Sequence, residues 1–96
     1  QMAFHGAPDT APIAHAANVH VDMAIPNFGV QESSVFPSEI AEVFTGIPYF
    51  DNGSLRVTDA SGLGTDVDEN AASRFPYRPH EYLPTLRRAD GSVQDW

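Results

Sequence analysis

The sequence predicts an α/β fold on three observations. Two short apolar stretches flank one amphipathic helix, a single α/β repeat separates them, and the second half carries hairpin turn signals instead of further repeats. Gln1 to Phe4 reads as the end of a strand because it runs directly into the loop formers His5-Gly6-Ala7-Pro8-Asp9. Asp9 or Thr10 is placed to cap the helix that follows, with Pro12 in its first turn, where a missing N–H costs nothing. Ile13, Ala16, Ala17, His20, Met23 and Ala24 recur at three- and four-residue spacing, which predicts a helix of about a dozen residues packing on an Ala-rich face. Pro26 disfavours helical geometry at Ile25 and ends it. Asn27 to Gln31 then reads as a short buried strand that closes on Glu32 and the polar Ser33-Ser34.

A strand, helix and second strand of this length form a right-handed parallel crossover, whose functional groups sit at the carboxyl ends of the strands. The one-repeat spacing therefore puts His5 and Glu32 at neighbouring points of one rim. Ser38 to Phe44 reads as a short helix, and Tyr49 to Val57 as a hairpin whose Asn52-Gly53 turn is the strongest local signal in the chain. Leu86 to Trp96 repeats the pattern around Asp90-Gly91. Between the hairpins, Gly62-Leu63-Gly64 leads to Asp66, Asp68 and Glu69, acids at the start of a helix predicted from Glu69 to Arg74, where the positive end of the helix dipole favours them. Pro76 to Pro84 reads as extended loop.

Composition narrows the functional classes. Ninety-six residues suffice for one small domain. With 42% hydrophobic and 19% charged residues the chain is not a disordered tail, and no apolar run approaches the roughly 20 residues of a membrane span. Thirteen acids against five bases, all Arg, give a net charge of −8, which repels phosphate backbones and anionic lipid and argues against nucleic-acid and membrane partners. The absence of Cys excludes disulfides, thiolate zinc sites and thiol nucleophiles, and suits a cytoplasmic location. The first residue is Gln1 and no basic segment leads an apolar one, so the chain reads as a piece of a longer polypeptide without a secretory signal.

Several motifs fail on inspection. Asp66 to Asn70 starts like a calcium loop, but Ala71 stands where Gly is needed and Tyr77 where a bidentate Glu is needed. Gly62-x-Gly64 lacks the third glycine of a dinucleotide cradle and reads as a turn. His15 and His20 are rotated about 140° apart on a helix and cannot share a metal. Asn52-Gly53-Ser54 matches a glycosylation sequon with no export signal to give it meaning, and no Gly-x-Ser-x-Gly elbow occurs. His5 and Glu32 remain, although a His after a strand is commonly a satisfied loop residue and a Glu there is commonly just solvated.

Residues 4 to 32, FHGAPDTAPIAHAANVHVDMAIPNFGVQE, and residues 49 to 69, YFDNGSLRVTDASGLGTDVDE, resemble the C-terminal part of the mandelate racemase group of the enolase superfamily. The closing RRADGSVQDW narrows the resemblance to the D-mannonate dehydratase family of sugar acid dehydratases. It rests on His-Gly at one strand end, Asn-Phe-Gly-x-Gln-Glu at the next, Gly-Leu-Gly-x-Asp-x-Asp, and a terminal Asp-Gly hairpin ending in Trp, and it covers nearly the whole chain.

The resemblance implies the C-terminal part of a (β/α)7β TIM-like barrel. Residues 1–48 would be its last strands and helices, and residues 49–96 hairpins and a segment packing on an α+β capping domain. His5 would end the seventh barrel strand and Glu32 the eighth. Such enzymes use Mg2+ to remove the proton alpha to a carboxylate, then expel the neighbouring hydroxyl to leave a 2-keto-3-deoxy sugar acid. The implied function is dehydration of D-mannonate to 2-keto-3-deoxy-D-gluconate by a cytoplasmic homo-oligomeric hydro-lyase of carbohydrate metabolism. By the family pattern His5, Asp9 and Glu32 bind the substrate, and His5 is a secondary candidate for proton shuttle. Ala7 and Trp96 set specificity: Ala at this place accompanies efficient D-mannonate dehydration, and Trp96 would wall the mouth. The competing readings are a helix cap for Asp9 and a terminal residue without a role for Trp96.

The acidic metal ligands and main acid–base residues are expected upstream of Gln1, so these 96 residues should supply no metal site and be inactive alone. Their expected partners are the sugar acid and the rest of the same polypeptide. Alternatives are a starvation-sensing or regulatory homologue that binds a sugar acid, and a D-gluconate dehydratase. A complete small interaction module would leave parallel strands with uncovered faces and edges, which such sheets rarely tolerate.

Overall fold

The computed structural model describes residues 1–77 and 87–92. Trp96, most of the loop predicted from Pro76 to Pro84 and the outer parts of the Asp90-Gly91 hairpin lie outside the described residues. Strand β1 (Met2–Phe4), helix α1 (Pro12–Ala24) and strand β2 (Phe28–Gln31) form the strand–helix–strand unit. The two strands pair in parallel, with Ala3 opposite Val30 and Phe4 opposite Gln31, so both run out at the same end of the sheet.

The N-cap of helix α1 lies one residue past Thr10 and two past Asp9, the predicted caps. Ala11 is the N-cap, no side chain caps it, and Asp9 is exposed in the preceding turn, where the Thr10 N–H donates to the Ala7 carbonyl at 3.1 Å. Pro12 is the physical reason: its ring holds the residue before it out of helical space, and Ala11 is extended at φ −63°, ψ 149°. Pro26 acts in the same way at the other end, where Ile25 is extended at φ −97°, ψ 141°.

The packing face also differs from the predicted one. The helix buries Pro12, His15, Ala16, Val19 and Asp22, so of the expected face only Ala16 is fully covered. A run so rich in Ala supports two helical frames one residue apart, because small side chains on both faces leave little to choose between them. His15 tips the balance, since its ring finds partners for both nitrogens when buried.

Helix α2 (Ser38–Val43) runs directly into β3 (Phe44–Thr45), which pairs antiparallel with β6 (Asp66–Val67). Helix α3 (Glu69–Ala72) follows, capped by Asp68, whose Oδ1 accepts from the Ala71 N–H at 3.0 Å. Arg74 reaches back to Glu42 on α2, Nη2 to Oε2 3.0 Å. Strands β4 (Tyr49–Asp51) and β5 (Ser54–Arg56) form the predicted hairpin. Its turn residues Asn52 (φ 48°) and Gly53 (φ 79°) both take the left-handed geometry that a two-residue turn of this hand demands.

Where the β3–β6 ladder begins, backbone packs on backbone. A Cβ on Gly46 would overlap the carbonyl oxygen of Gly64, and one on Gly64 would overlap the Thr58 hydroxyl. The Thr58 hydroxyl donates to the Gly64 carbonyl at 3.1 Å and the Thr65 hydroxyl to the Gly46 carbonyl at 2.9 Å, which closes the junction. Gly62-x-Gly64 therefore does belong to a turn, and its second glycine makes a close approach.

The core is small. Besides Pro12 and Pro48, the buried apolar side chains among the described residues are Ala16, Val19 and Ala71. Strand β2 is not buried as expected: Phe28 is 44% and Val30 64% exposed. A strand of a parallel sheet becomes buried only when both faces and both edges are covered, and within the described residues this sheet has two strands. A cavity of about 500 Å3 opens between α1, β2 and the hairpin, walled by Val19, Asp22, Phe28, Val30 and Phe50. No helix among the described residues is long and apolar enough to cross a membrane.

Candidate functional site

The residues that immediately follow β1 and β2 are His5 and Glu32, and the parallel register brings them together. His5 Nδ1 lies 2.5 Å from Glu32 Oε2. The same carboxylate oxygen accepts from the Gly6 N–H at 3.0 Å. Both side chains are well exposed, so the pair adds little to stability, and its position is set by the backbone beneath it. That backbone is tightly stitched. The Glu32 N–H donates to the Phe4 carbonyl at 3.4 Å, and the Ser34 hydroxyl donates to the Gly6 carbonyl at 2.8 Å. Gly6 is buried so closely against Glu32 that a Cβ there would overlap the Glu32 carbonyl.

The chemistry of this arrangement follows from the imidazole. When Nδ1 carries the proton donated to Glu32, the lone pair of Nε2 is left free for a hydroxyl or a proton. Glu32 keeps Oε1 as a second acceptor. Together they can grip a polyhydroxylated ligand and hold or move one proton at His5 Nε2.

Two of the other predicted residues share the loop after β1 with His5. Ala7 is half-buried two positions after His5, and Asp9 lies exposed further along that loop. Among the described residues no hydrogen bond or ion pair joins Asp9 to His5 or Glu32. Trp96 lies outside the described residues. Sequence reasoning missed His15, which it weighed only as a metal ligand. The ring is 1% exposed, with Nε2 3.3 Å from the Ala7 carbonyl oxygen and Nδ1 3.3 Å from Ser33 Oγ. The available signal was its place in the frame Pro12, His15, Ala16, Val19, a period as good as the one preferred. His20, on a different face, meets the Leu63 carbonyl at 3.2 Å through Nε2, and the two histidines do not converge.

No group of three His, Asp or Glu side chains that could hold a metal ion occurs among the described residues. Among the described residues Glu32 is the one carboxylate paired at the ends of β1 and β2, and it is already engaged with His5 and Gly6, so these residues do not fit a magnesium site of their own.

A sequence profile described as enolase C-terminal domain-like matches residues 1–71. A D-galactonate dehydratase family member of Streptomyces bingchenggensis (strain BCW-1) is 47% identical over 92 residues, covering 96% of this chain and 22% of its own. The D-mannonate dehydratase of Xanthomonas oryzae pv. oryzicola (strain BLS256) is 42% identical over 93 residues, covering 97% of this chain and 22% of its own. Among solved structures, the crystal structure of an enolase from Pantoea ananatis with bound D-gluconate and Mg is 39% identical, with a TM-score of 0.82 over 95% of this chain and 22% of that one. The chain thus spans about a fifth of the length of these relatives.

Proposed function

The chain belongs to the enolase C-terminal domain-like family, and on that premise we propose that it is the C-terminal part of a sugar acid dehydratase that converts D-mannonate to 2-keto-3-deoxy-D-gluconate. The observation that carries the reading is the meeting of His5 and Glu32 at the ends of adjacent parallel strands. That is where an α/β barrel gathers its functional groups, and the relatives of similar sequence are sugar acid dehydratases by name.

In this reading residues 1–48 complete the barrel and residues 49–96 pack against a capping domain. Dehydration breaks the C2–H and C3–O bonds and releases water. His5, Asp9 and Glu32 hydrogen-bond the sugar acid's hydroxyl and carboxylate oxygens, and His5 Nε2 can pass a proton. The full polypeptide uses Mg2+, which stabilises negative charge developing beside the carboxylate; its ligands lie outside this segment. Ala7 leaves room beside His5 that a Pro ring would fill, and it tunes the choice between epimers at C2. The enzyme works in the cytoplasm as a homo-oligomer.

A second substrate has its own support: the Pantoea ananatis structure contains D-gluconate, the C2 epimer of D-mannonate, and its segment of like fold is 39% identical. Assaying the full polypeptide against both acids with added magnesium separates the readings. D-mannonate turning over faster is the expected result. Faster turnover of D-gluconate would overturn the specificity and leave the dehydratase assignment standing. Binding of a sugar acid without any turnover would favour a regulatory homologue.

A further inference from the structure

We propose that His15 is a positioning residue that ties the two strand-end loops to helix α1 and so fixes where Ala7 and Asp9 stand relative to Glu32. The ring is fully buried, and nothing in the dehydratase reading uses it. Its two nitrogens reach different loops: Nε2 is 3.3 Å from the Ala7 carbonyl oxygen in the loop after β1, and Nδ1 is 3.3 Å from Ser33 Oγ in the loop after β2. A carbonyl oxygen only accepts, so Nε2 carries a proton, while the Ser33 hydroxyl can serve Nδ1 as donor or acceptor. Phe36 packs edge-on against the ring, with centroids 4.9 Å apart and planes at 71°, which fixes its rotation.

The place of this tie gives it a distinct role. The loops are already joined to each other at Gly6, through its N–H to Glu32 Oε2 and its carbonyl to the Ser34 hydroxyl. His15 holds the first loop one residue further along, at Ala7, whose carbonyl oxygen also accepts from the Thr10 N–H. Removing the ring's hydrogen bonds leaves His5 on Glu32 but frees the turn from Ala7 to Thr10 that carries Asp9. The consequence belongs to ligand grip rather than to proton transfer, because binding across two loops depends on their separation.

This inference rests on the dehydratase reading for its kinetic arm alone. In the full polypeptide His15→Phe keeps an aromatic ring against Phe36 while removing both hydrogen bonds, whereas His15→Gln restores one donor and one acceptor on a single side chain. With the sugar acid that the wild type turns over, His15→Phe is expected to raise KM about tenfold with kcat changed less than about threefold, and His15→Gln to recover most of the loss. Amide hydrogen exchange needs no substrate. It is expected to speed up about tenfold at Thr10 in His15→Phe and to stay unchanged across Val19 to Ala24. Wild-type inactivity would defeat the dehydratase reading and leave the exchange result to decide the tie. Unchanged exchange at Thr10, exchange rising equally along α1, or equal damage from Phe and Gln would each overturn the positioning role.

Discussion

One carboxylate oxygen, Oε2 of Glu32, accepts from both the His5 ring and the Gly6 N–H, and this sharing is possible only because Gly6 has no side chain. Gly6→Ala would drive a methyl group into the Glu32 carbonyl and the Ser33 Cα, both backbone and unable to swing aside. The substitution should cost on the order of 1 to 3 kcal/mol of stability by overpacking, with sugar acid binding weakened together with it. Thermal melts and KM of the full polypeptide measure the two effects, and a variant with both unchanged would contradict the close approach. Asp22 supplies the pH dependence. Among the described residues neither of its buried oxygens has a partner, and burial pushes its carboxyl above the ordinary value. An acid held above its unfolded pKa costs stability once pH rises past the unfolded value, and the cost vanishes below it. Asp22→Asn should therefore stabilise the full polypeptide at neutral pH, with the gain disappearing as pH falls through the carboxylate range. Denaturant unfolding at neutral and acidic pH tests this, and destabilisation at neutral pH would mean that a donor reaches Asp22. His5 and Glu32 were legible as neighbours because a parallel repeat fixes where strands end. The Gly6 contact was not, since it depends on the separation of two loops that no sequence period encodes.

Elements with strong local chemistry were legible to within a residue or two. Pro12 and Pro26 bound α1 through the residues that precede them, Asn52-Gly53 forces its hairpin, and acids mark the start of α3, where the structure adds that Asp68 is the cap. The β3–β6 ladder was invisible, because two residues on each side carry no alternation to read. Helix α3 is too short to stand alone, and its cap and its contact with α2 therefore matter out of proportion to its length. Asp68→Ala should cost about 1 kcal/mol by leaving the Ala71 N–H without its acceptor, while Asp68→Asn should cost far less. Urea unfolding of the two variants makes the comparison, and equal losses would show that charge, not the cap bond, is what Asp68 contributes.

As a whole, the described part of the molecule has few means of stability beyond its backbone pairing. Its buried apolar side chains are small, two-stranded sheets carry its strands, and Met2, Phe28 and Val30 stand open on the parallel pair. The 96-residue chain by itself should therefore show no cooperative thermal transition by circular dichroism and no stoichiometric magnesium binding by titration. A sharp melt accompanied by tight binding of one ion would refute both expectations. The junction of Gly46 and Gly64 bears on a longer timescale than folding. Each glycine faces backbone or a short hydroxyl, so no compensating change in a neighbouring side chain can make room for a methyl group at Gly46. Drift by single substitutions is closed there, while at the exposed Asn52-Gly53 turn between the two sites a side chain on Gly53 would meet no neighbour and only the strain of a φ of 79°. Descendants of this sequence should accumulate their differences, insertions included, at the hairpin tip, and the two ends of that excursion should stay where they are.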